Sequence, residues 1–232
     1  TFLRERSSDF VIGRFSGSGA LGLFTISYEL ANMPSTELVA PINRAVYPAY
    51  VRLADDKAAL RREYLSVMAM ICMVAIPAVA GVAATAHIVV PLLLGSAWLG
   101  AIPILKILAL FGISQVMLSN AYSLFLALGR GGVFSWLNGL YVTVLLGLLI
   151  VLVPRYGVTG GAYAYLITAV GTLPVSLFVI FKILDLPVWR FFSQVWRSVL
   201  GAGVMFALVD RGAPSVAADA PAAALVMAMI QA

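Results

Sequence analysis

The chain has 232 residues, 62% of them hydrophobic and only 11% charged, and a formal net charge of +5. Soluble domains carry about 45–50% apolar and about 25% charged residues, so a globular interior cannot absorb this composition and lipid must cover the remainder. Unpaired backbone groups are intolerable in hydrocarbon, and the apolar runs are too long and uniform for barrel strands. The expected fold is therefore all-α, a polytopic bundle of transmembrane helices.

Taken in order, the first element is residues 1–15, too short to cross alone at about 20 residues per span, followed by a turn at Ser16–Gly19, SGSG. A long second segment covers 20–50 and contains Pro34, Pro41 and Pro48. Residues 52–64, RLADDKAALRREY, are the most charged stretch and read as a short surface helix. A third span is expected over 65–86 with a kink at Pro77. Residues 87–103 read as a re-entrant or interfacial turn with Trp98 in the headgroup belt. Further spans follow at 104–128, carrying Lys106, Gln115 and Asn120, then at 133–153 and 160–181. Residues 185–197 form an amphipathic interfacial piece, and two short segments, 198–209 and 220–230, close the chain.

Lys and Arg positions test this division, because cytoplasmic loops collect them. With the SGSG turn outside, the inside loops hold Arg52, Lys57, Arg61, Arg62, Arg130, Lys182, Arg190 and Arg197. The outside loops hold only Arg14, Arg155 and Arg211. Arg4, Arg6, Arg44 and Lys106 fall within spans. The net positive charge is thus explained by loops, and no basic run interleaved with aromatics points to nucleic acid. The single cysteine, Cys72, sits in an apolar run and excludes a disulfide framework or a thiolate metal cluster. His87 has no ligating neighbours in sequence and reads as a helix-end residue. No nucleophile–base set, HExxH, P-loop or dinucleotide fingerprint is present, so no catalytic residue, metal or cofactor is expected.

Polar groups at membrane depth are costly and mark function by default. They gather on the first two segments. At about 100° per residue, Glu5, Arg6 and Asp9 share one arc with Gly13, and Arg6 and Asp9 are spaced to pair. On the second segment Gly22, Thr25, Glu29, Asn32 and Thr36 form one stripe, opposite Leu21, Phe24, Tyr28, Leu30 and Ala31. Asn43 and Tyr47 extend the stripe if the prolines leave the register unchanged. The plainer alternative is hydrogen bonding between helices inside a bundle.

These residues carry a resemblance. SSDFVIGRFSGSGALGLFTISYELANMP is similar to the central signature of the polysaccharide transporter family, the Wzx-type oligosaccharide flippases of the MATE-like MOP superfamily. The matching positions are Asp9, Ile12-Gly13-Arg14, Gly17, Leu21-Gly22-Leu23-Phe24, Tyr28 and Met33-Pro34. INRAVYPAYVRL with Arg44, Tyr47 and Pro48, then LLLGSAWLGAIPILKILAL, then ALGR at Ala127–Arg130 resemble later landmarks in the same order.

The resemblance implies two six-helix lobes around a central cavity, with helices one and two of each lobe lining it. Residues 1–182 would be the second lobe with its first helix truncated. Residues 183–232 would be an interfacial segment plus an extra helix pair, also truncated. The chain opens at Thr1 with no initiator Met and stops inside AALVMAMIQA, so it is expected to be a piece of a longer transporter whose N-terminal lobe is missing. The implied function is flipping of polyprenyl-pyrophosphate-linked oligosaccharide across the bacterial cytoplasmic membrane, with that lipid-linked glycan and membrane lipids as partners. Arg4, Arg6 and Arg44 are candidate pyrophosphate donors, because a guanidinium binds phosphate oxygens in pairs. Thr25, Asn32, Thr36 and Asn43 are candidate sugar contacts, and Asp9 and Glu29 are candidates for cation coupling. Plainer roles stand beside these: an internal Arg6–Asp9 salt bridge, Arg14 snorkelling to the outer interface, Arg44 reaching cytoplasmic headgroups, Lys106 at the interface. Rival classes are a cation-coupled drug or metabolite antiporter of the same superfamily and an integral-membrane polymerase or glycosyltransferase, for which every outer loop is too short. A non-functional gene fragment is the last alternative.

Overall fold

The computed structural model describes the backbone of residues 2–193 and, within 195–204, all but residues 197, 199 and 202; side chains are described from Ser8 onward. The elements are α1 (Phe2–Met33), a π-helical turn (Pro34–Val39), α2 (Ala40–Arg52), α3 (Lys57–Leu94), a 3-10 turn (Ser96–Trp98), α4 (Ala101–Ala127) and α5 (Gly131–Leu184). The described residues are an all-α membrane bundle, as the composition requires. Ser8–Arg52, Lys57–Leu94, Ala101–Ala127 and Gly131–Leu184 are each long and apolar enough to cross a membrane.

Two of these helices double back. α1 breaks at Gly17, where φ is 85°. A Cβ on Gly13 would lie 3.3 Å from Leu21 Cδ2, whereas eight residues of straight helix would separate them by about 12 Å. α5 breaks the same way at Gly157, where φ is 60° and ψ −143°. There a Cβ on Gly160 would lie 2.3 Å from the Leu152 carbonyl oxygen. Only glycine adopts such positive φ without a steric penalty, so SGSG and PRYGVTGG each become a helical hairpin. Counting the two arms of each hairpin, the described residues make six helical arms.

The contacts between arms fix an up-and-down order. The Gly17 turn meets the α3–α4 connection, with Gly22 under Trp98 and Gly100 against Leu23, and it meets the Gly157 turn through Ile12 and Phe24 against Gly161. At the other end, Lys57 pairs with Asp185, and Arg61 Nη1 donates to the Asp185 carbonyl at 3.1 Å. That end therefore collects Arg52, Lys57, Arg61, Arg62, Arg130, Lys182 and Arg190, while Arg14 and Arg155 lie at the end of the two glycine turns. The charge asymmetry read along the sequence is thus an asymmetry between the two ends of the bundle.

Two apolar cores stack along the axis. One, toward the cationic end, is built on Tyr64, Met68, Ile71, Leu124, Phe125, Ile180 and Phe191. The other, toward the glycine turns, is built on Ile12, Phe24, Leu105, Phe111, Leu145, Leu149 and Tyr165. Tyr165 is its hub, with ring centroids 5.5 Å from Phe24, 5.4 Å from Tyr28 and 5.4 Å from Phe111, and its hydroxyl donates to Ser8 Oγ at 2.9 Å. Both arms of the first hairpin are thereby held against α5. α1 also rides close on α4: a Cβ at Gly112 would lie 3.2 Å from the Ala31 carbonyl, the small-residue packing that lets membrane helices approach.

Two expectations are corrected. Residues 52–64 are not a separate surface helix: a turn at 53–56 ends with Asp56, whose side chain caps α3 by accepting from the Ala58 and Ala59 amides, and the helix then runs straight from Lys57 into the membrane. Nor do residues 87–103 as a whole form the expected re-entrant or interfacial turn: α3 continues through His87 to Leu94, and only 95–100, around Trp98, leave the α-helix as a turn at the bundle end. The capping Asp and the missing polar break explain both. The expected spans over 198–209 and 220–230 lie largely or wholly outside the described residues, as do the side chains of Arg4 and Arg6.

Gly160→Val is expected to destabilise the protein by about 2 kcal/mol or more, because the new side chain collides with the Leu152 carbonyl. Gly147→Ala, where nothing stands within 4 Å of the added Cβ, is expected to be silent. Thermal unfolding of both detergent-solubilised variants reads the difference.

Candidate functional site

Glu29 lies 12 residues from the Gly17 turn, about 18 Å along the helix, and so near the middle of an about 30 Å hydrocarbon layer. The face carrying it is the exposed one. Thr25, Glu29 and Thr36 are exposed and Asn32 is half-buried, while Phe24, Ser27 and Ala31 on the other side are buried. Ser27 Oγ bonds the Leu23 carbonyl at 2.7 Å and the Ala101 carbonyl at 3.1 Å, bridging to α4. The apolar face thus packs on neighbours and the polar stripe points away from the bundle. Gly22, at the head of the stripe, is covered by Trp98.

Charges within the membrane arms are unevenly spread. Residues 65–86 of α3, 131–153 and 156–181 of α5 carry none, and α4 carries only the half-buried Lys106. The first two arms carry Asp9, Glu29, Glu37 and Arg44 among the residues with described side chains. Asp9 is half-buried and in contact with a partner.

Pro34 redirects the second half of this arm. It lacks an amide proton and its ring blocks the Leu30 carbonyl, and the chain answers with a π-helical turn over Pro34–Val39, in which Ala40 N bonds the Ser35 carbonyl. An i→i+5 turn takes in one residue more than an α-turn, so the register shifts between Thr36 and Asn43. After the shift, Asn43, Arg44 and Tyr47 face a cavity of about 360 Å³ whose other wall is Ser119, Tyr122, Ser123 and Leu126 of α4. Adjoining it through Ser119 and Tyr122 is a second cavity of about 260 Å³. It is lined by Ser35 of the π-turn, Gln115 and Phe125 of α4, and Phe134, Asn138, Tyr141, Thr172 and Ser176 of α5. Together they form a groove with α4 as floor, the π-turn and α2 as one wall and α5 as the other.

The groove is apolar over most of its lining, set with hydroxyls and amides, and weakly charged, with Arg44 its one cation among the lining residues. Ser35 Oγ and Asn43 Oδ1 are buried atoms with no hydrogen-bond partner among the described residues. Its floor is pinned from behind, where the fully buried Asn120 donates from Nδ2 to the Tyr50 hydroxyl at 2.7 Å and ties α2 to α4. Of the residues singled out from the sequence, Asn43, Arg44 and Tyr47 meet in this groove. Thr25, Glu29 and Thr36 lie on the exposed side of the preceding helix, and Arg4 and Arg6 are outside the described side chains. Sequence reasoning missed Glu37, Ser35, Asn138, Thr172 and Ser176. Gln115 was visible as an amide in an apolar span, and Asn138 carried the same signal.

Fold and groove define a class, a multi-pass helical membrane protein with a groove bearing hydroxyls and amides along one side of a bundle. Comparison narrows it: residues 1–103 match a family described as polysaccharide biosynthesis protein. The chain is 26% identical over 197 residues to the teichuronic acid biosynthesis protein TuaB of Bacillus subtilis, covering 84% of this chain and 40% of the relative. It is 24% identical over 181 residues to the lipopolysaccharide biosynthesis protein WzxC of Escherichia coli, covering 78% and 37%. It is also 24% identical over 172 residues to an uncharacterised membrane protein in the cps region of Klebsiella pneumoniae, covering 74% and 36%. No solved structure matches. These findings bear out, at low identity, the resemblance to the polysaccharide transporter family, and with it a bacterial multi-pass membrane protein related to polysaccharide biosynthesis. The chain spans about two fifths of the length of the curated relatives it matches.

Tyr50→Phe removes the acceptor from Asn120 and is expected to cost about 0.6–1.7 kcal/mol. The double variant Tyr50→Phe/Asn120→Leu, with both partners gone, is expected to regain most of it. Melting temperatures of the three proteins in detergent check the cycle.

Proposed function

We propose that this chain is part of a flippase that moves polyprenyl-pyrophosphate-linked oligosaccharide across the cytoplasmic membrane by alternating access, and that it transports and does not catalyse. One observation carries the reading: apart from Lys106 near the start of α4, the charges within the membrane arms lie on the first two arms, and Glu29 sits near mid-depth on a face the bundle itself does not cover. A charged side chain against acyl chains costs about 2.5–3.5 kcal/mol or more. Glu29, near mid-depth on that exposed face, is therefore better accommodated against a wet, polar surface than against lipid. The names of the curated relatives, which concern teichuronic acid and lipopolysaccharide biosynthesis, supply the substrate class.

In this reading the N-terminal lobe of the complete protein closes a cavity over that face. Arg44 offers a planar fork to pyrophosphate oxygens, with Arg4 and Arg6 as further donors. Thr25, Asn32, Thr36 and Asn43 contact the glycan. Glu29 and Asp9 exchange a proton or cation for their charge as the cavity changes sides. The π-turn is a bending point between the two halves of the long second arm.

The test uses the complete protein in cells that depend on it. Glu29→Ala and Arg44→Ala are each expected to remove a charge-assisted contact of about 1.5–3 kcal/mol, lowering surface polysaccharide on the order of ten- to a hundredfold at equal membrane levels. Wild-type export by both variants would reduce these side chains to scaffold. In a Cys72→Ser background, Glu29→Cys is expected to react with a membrane-impermeant maleimide and Phe178→Cys, on an apolar face, to stay unlabelled.

A further inference from the structure

We propose that the two adjoining cavities are one subsite for a glycosyl phosphate, with a single neutral sugar ring seated between α4 and α5 and its phosphate held by Arg44. The proposal rests on the transport reading above and adds Ser35, Gln115, Asn138, Thr172 and Ser176 to the residues that reading uses. The inner cavity, about 260 Å³, lies at or below the small end of ordinary small-molecule sites, about 300–1,000 Å³, so it suits one ring and not an oligosaccharide. Its lining bears no charge. Two amides, Gln115 and Asn138, and the hydroxyls of Ser35, Thr172 and Ser176 present donors and acceptors in near balance. That is the complement of a polyhydroxylated ring, whereas a bare cation or a phosphate would lack a counter-charge there.

Three further observations point to an occupant. The buried Ser35 Oγ and Asn43 Oδ1 find no partner among the described residues, although each borders the groove, and buried polar atoms are rarely left so. Thr172 Oγ1 already donates to the Thr168 carbonyl at 2.8 Å, leaving its lone pairs to accept. Tyr122 lines both cavities and is braced by Phe134 at 4.7 Å between ring centroids, offering an apolar platform for the C–H face of a sugar. Arg44 lines only the outer cavity, so the phosphate would sit nearer the cationic end and the ring deeper toward the bundle centre.

The test is ligand-observed saturation-transfer NMR on the complete protein in lipid nanodiscs, with a panel of hexose 1-phosphates, the matching methyl hexopyranosides and inorganic phosphate as probes. At least one hexose 1-phosphate is expected to bind on the order of tenfold more tightly than its methyl glycoside. Arg44→Gln is expected to abolish that preference while leaving the methyl glycoside bound. Asn138→Leu, and the nearly isosteric Thr172→Val as a fold-sparing second variant, are expected to weaken both sugars. The proposal is overturned if no hexose 1-phosphate binds, if a folded Thr172→Val protein binds as wild type, or if inorganic phosphate binds as tightly as the sugar phosphates. Glu29→Ala serves as the separating control: it is expected to lose export yet keep sugar-phosphate binding. Normal export by that variant would remove Glu29 from the transport reading and leave this subsite standing. Absent binding beside lost export would do the reverse.

Discussion

The arrangement depends on two chain reversals inside the membrane-embedded part of the sequence, at Gly17 and Gly157. Lipid offers backbone groups no hydrogen bonds, so a helix in it must continue or turn within very few residues. Positive φ at a residue without Cβ is the shortest way to do so. Each reversal lays two arms side by side, and the Tyr165 cluster then joins one hairpin to the other. Once these are set, the ends of the bundle are set too: glycine turns and few cations at one, the Lys57–Asp185 pair and a collar of arginines and lysines at the other.

Association between membrane helices lacks the hydrophobic drive available in water and draws on close packing and polar ties. Both are present. Gly112 admits the Ala31 backbone, Ser27 bridges to Ala101, and Asn120 holds Tyr50. These contacts lie on the faces that become interior, and they leave the polar side of the long second arm uncovered. The half-bundle is therefore asymmetric. α3 and α5 turn outward apolar residues such as Met73, Ile150, Val170 and Phe178, while the first two arms turn outward Thr25, Glu29, Thr36 and Glu37 alongside Phe10, Phe15 and Met33.

The π-turn links the stripe to the groove. Pro34 forbids the α-helical bond at that point, and the wider turn rotates Asn43 and Arg44 onto α4 where an unbroken helix would have aimed them elsewhere. A local covalent constraint thus decides which side chains share a cavity. It also leaves Ser35 as a buried hydroxyl at the cavity wall, a cost that a bound hydroxyl or water would relieve.

Several of these features were legible in the residues themselves. Composition alone required membrane helices, the SGSG cluster marked the first reversal, the Lys and Arg spacing carried the end-to-end asymmetry, and the 3/4 spacing of Thr25, Glu29 and Thr36 marked a polar face opposite Phe24 and Ala31. Each is a local or periodic property, dictated by backbone sterics and solvation. Tertiary structure alone decided what is not periodic. It decided that 57–94 is one helix capped by Asp56, that Pro34 widens the helix and does not merely kink it, and that Ser35, Gln115, Asn138, Thr172 and Ser176 line one cavity. Those residues come from three elements, and a cavity is a relation between surfaces, set by how helices pack and by no spacing within any one of them.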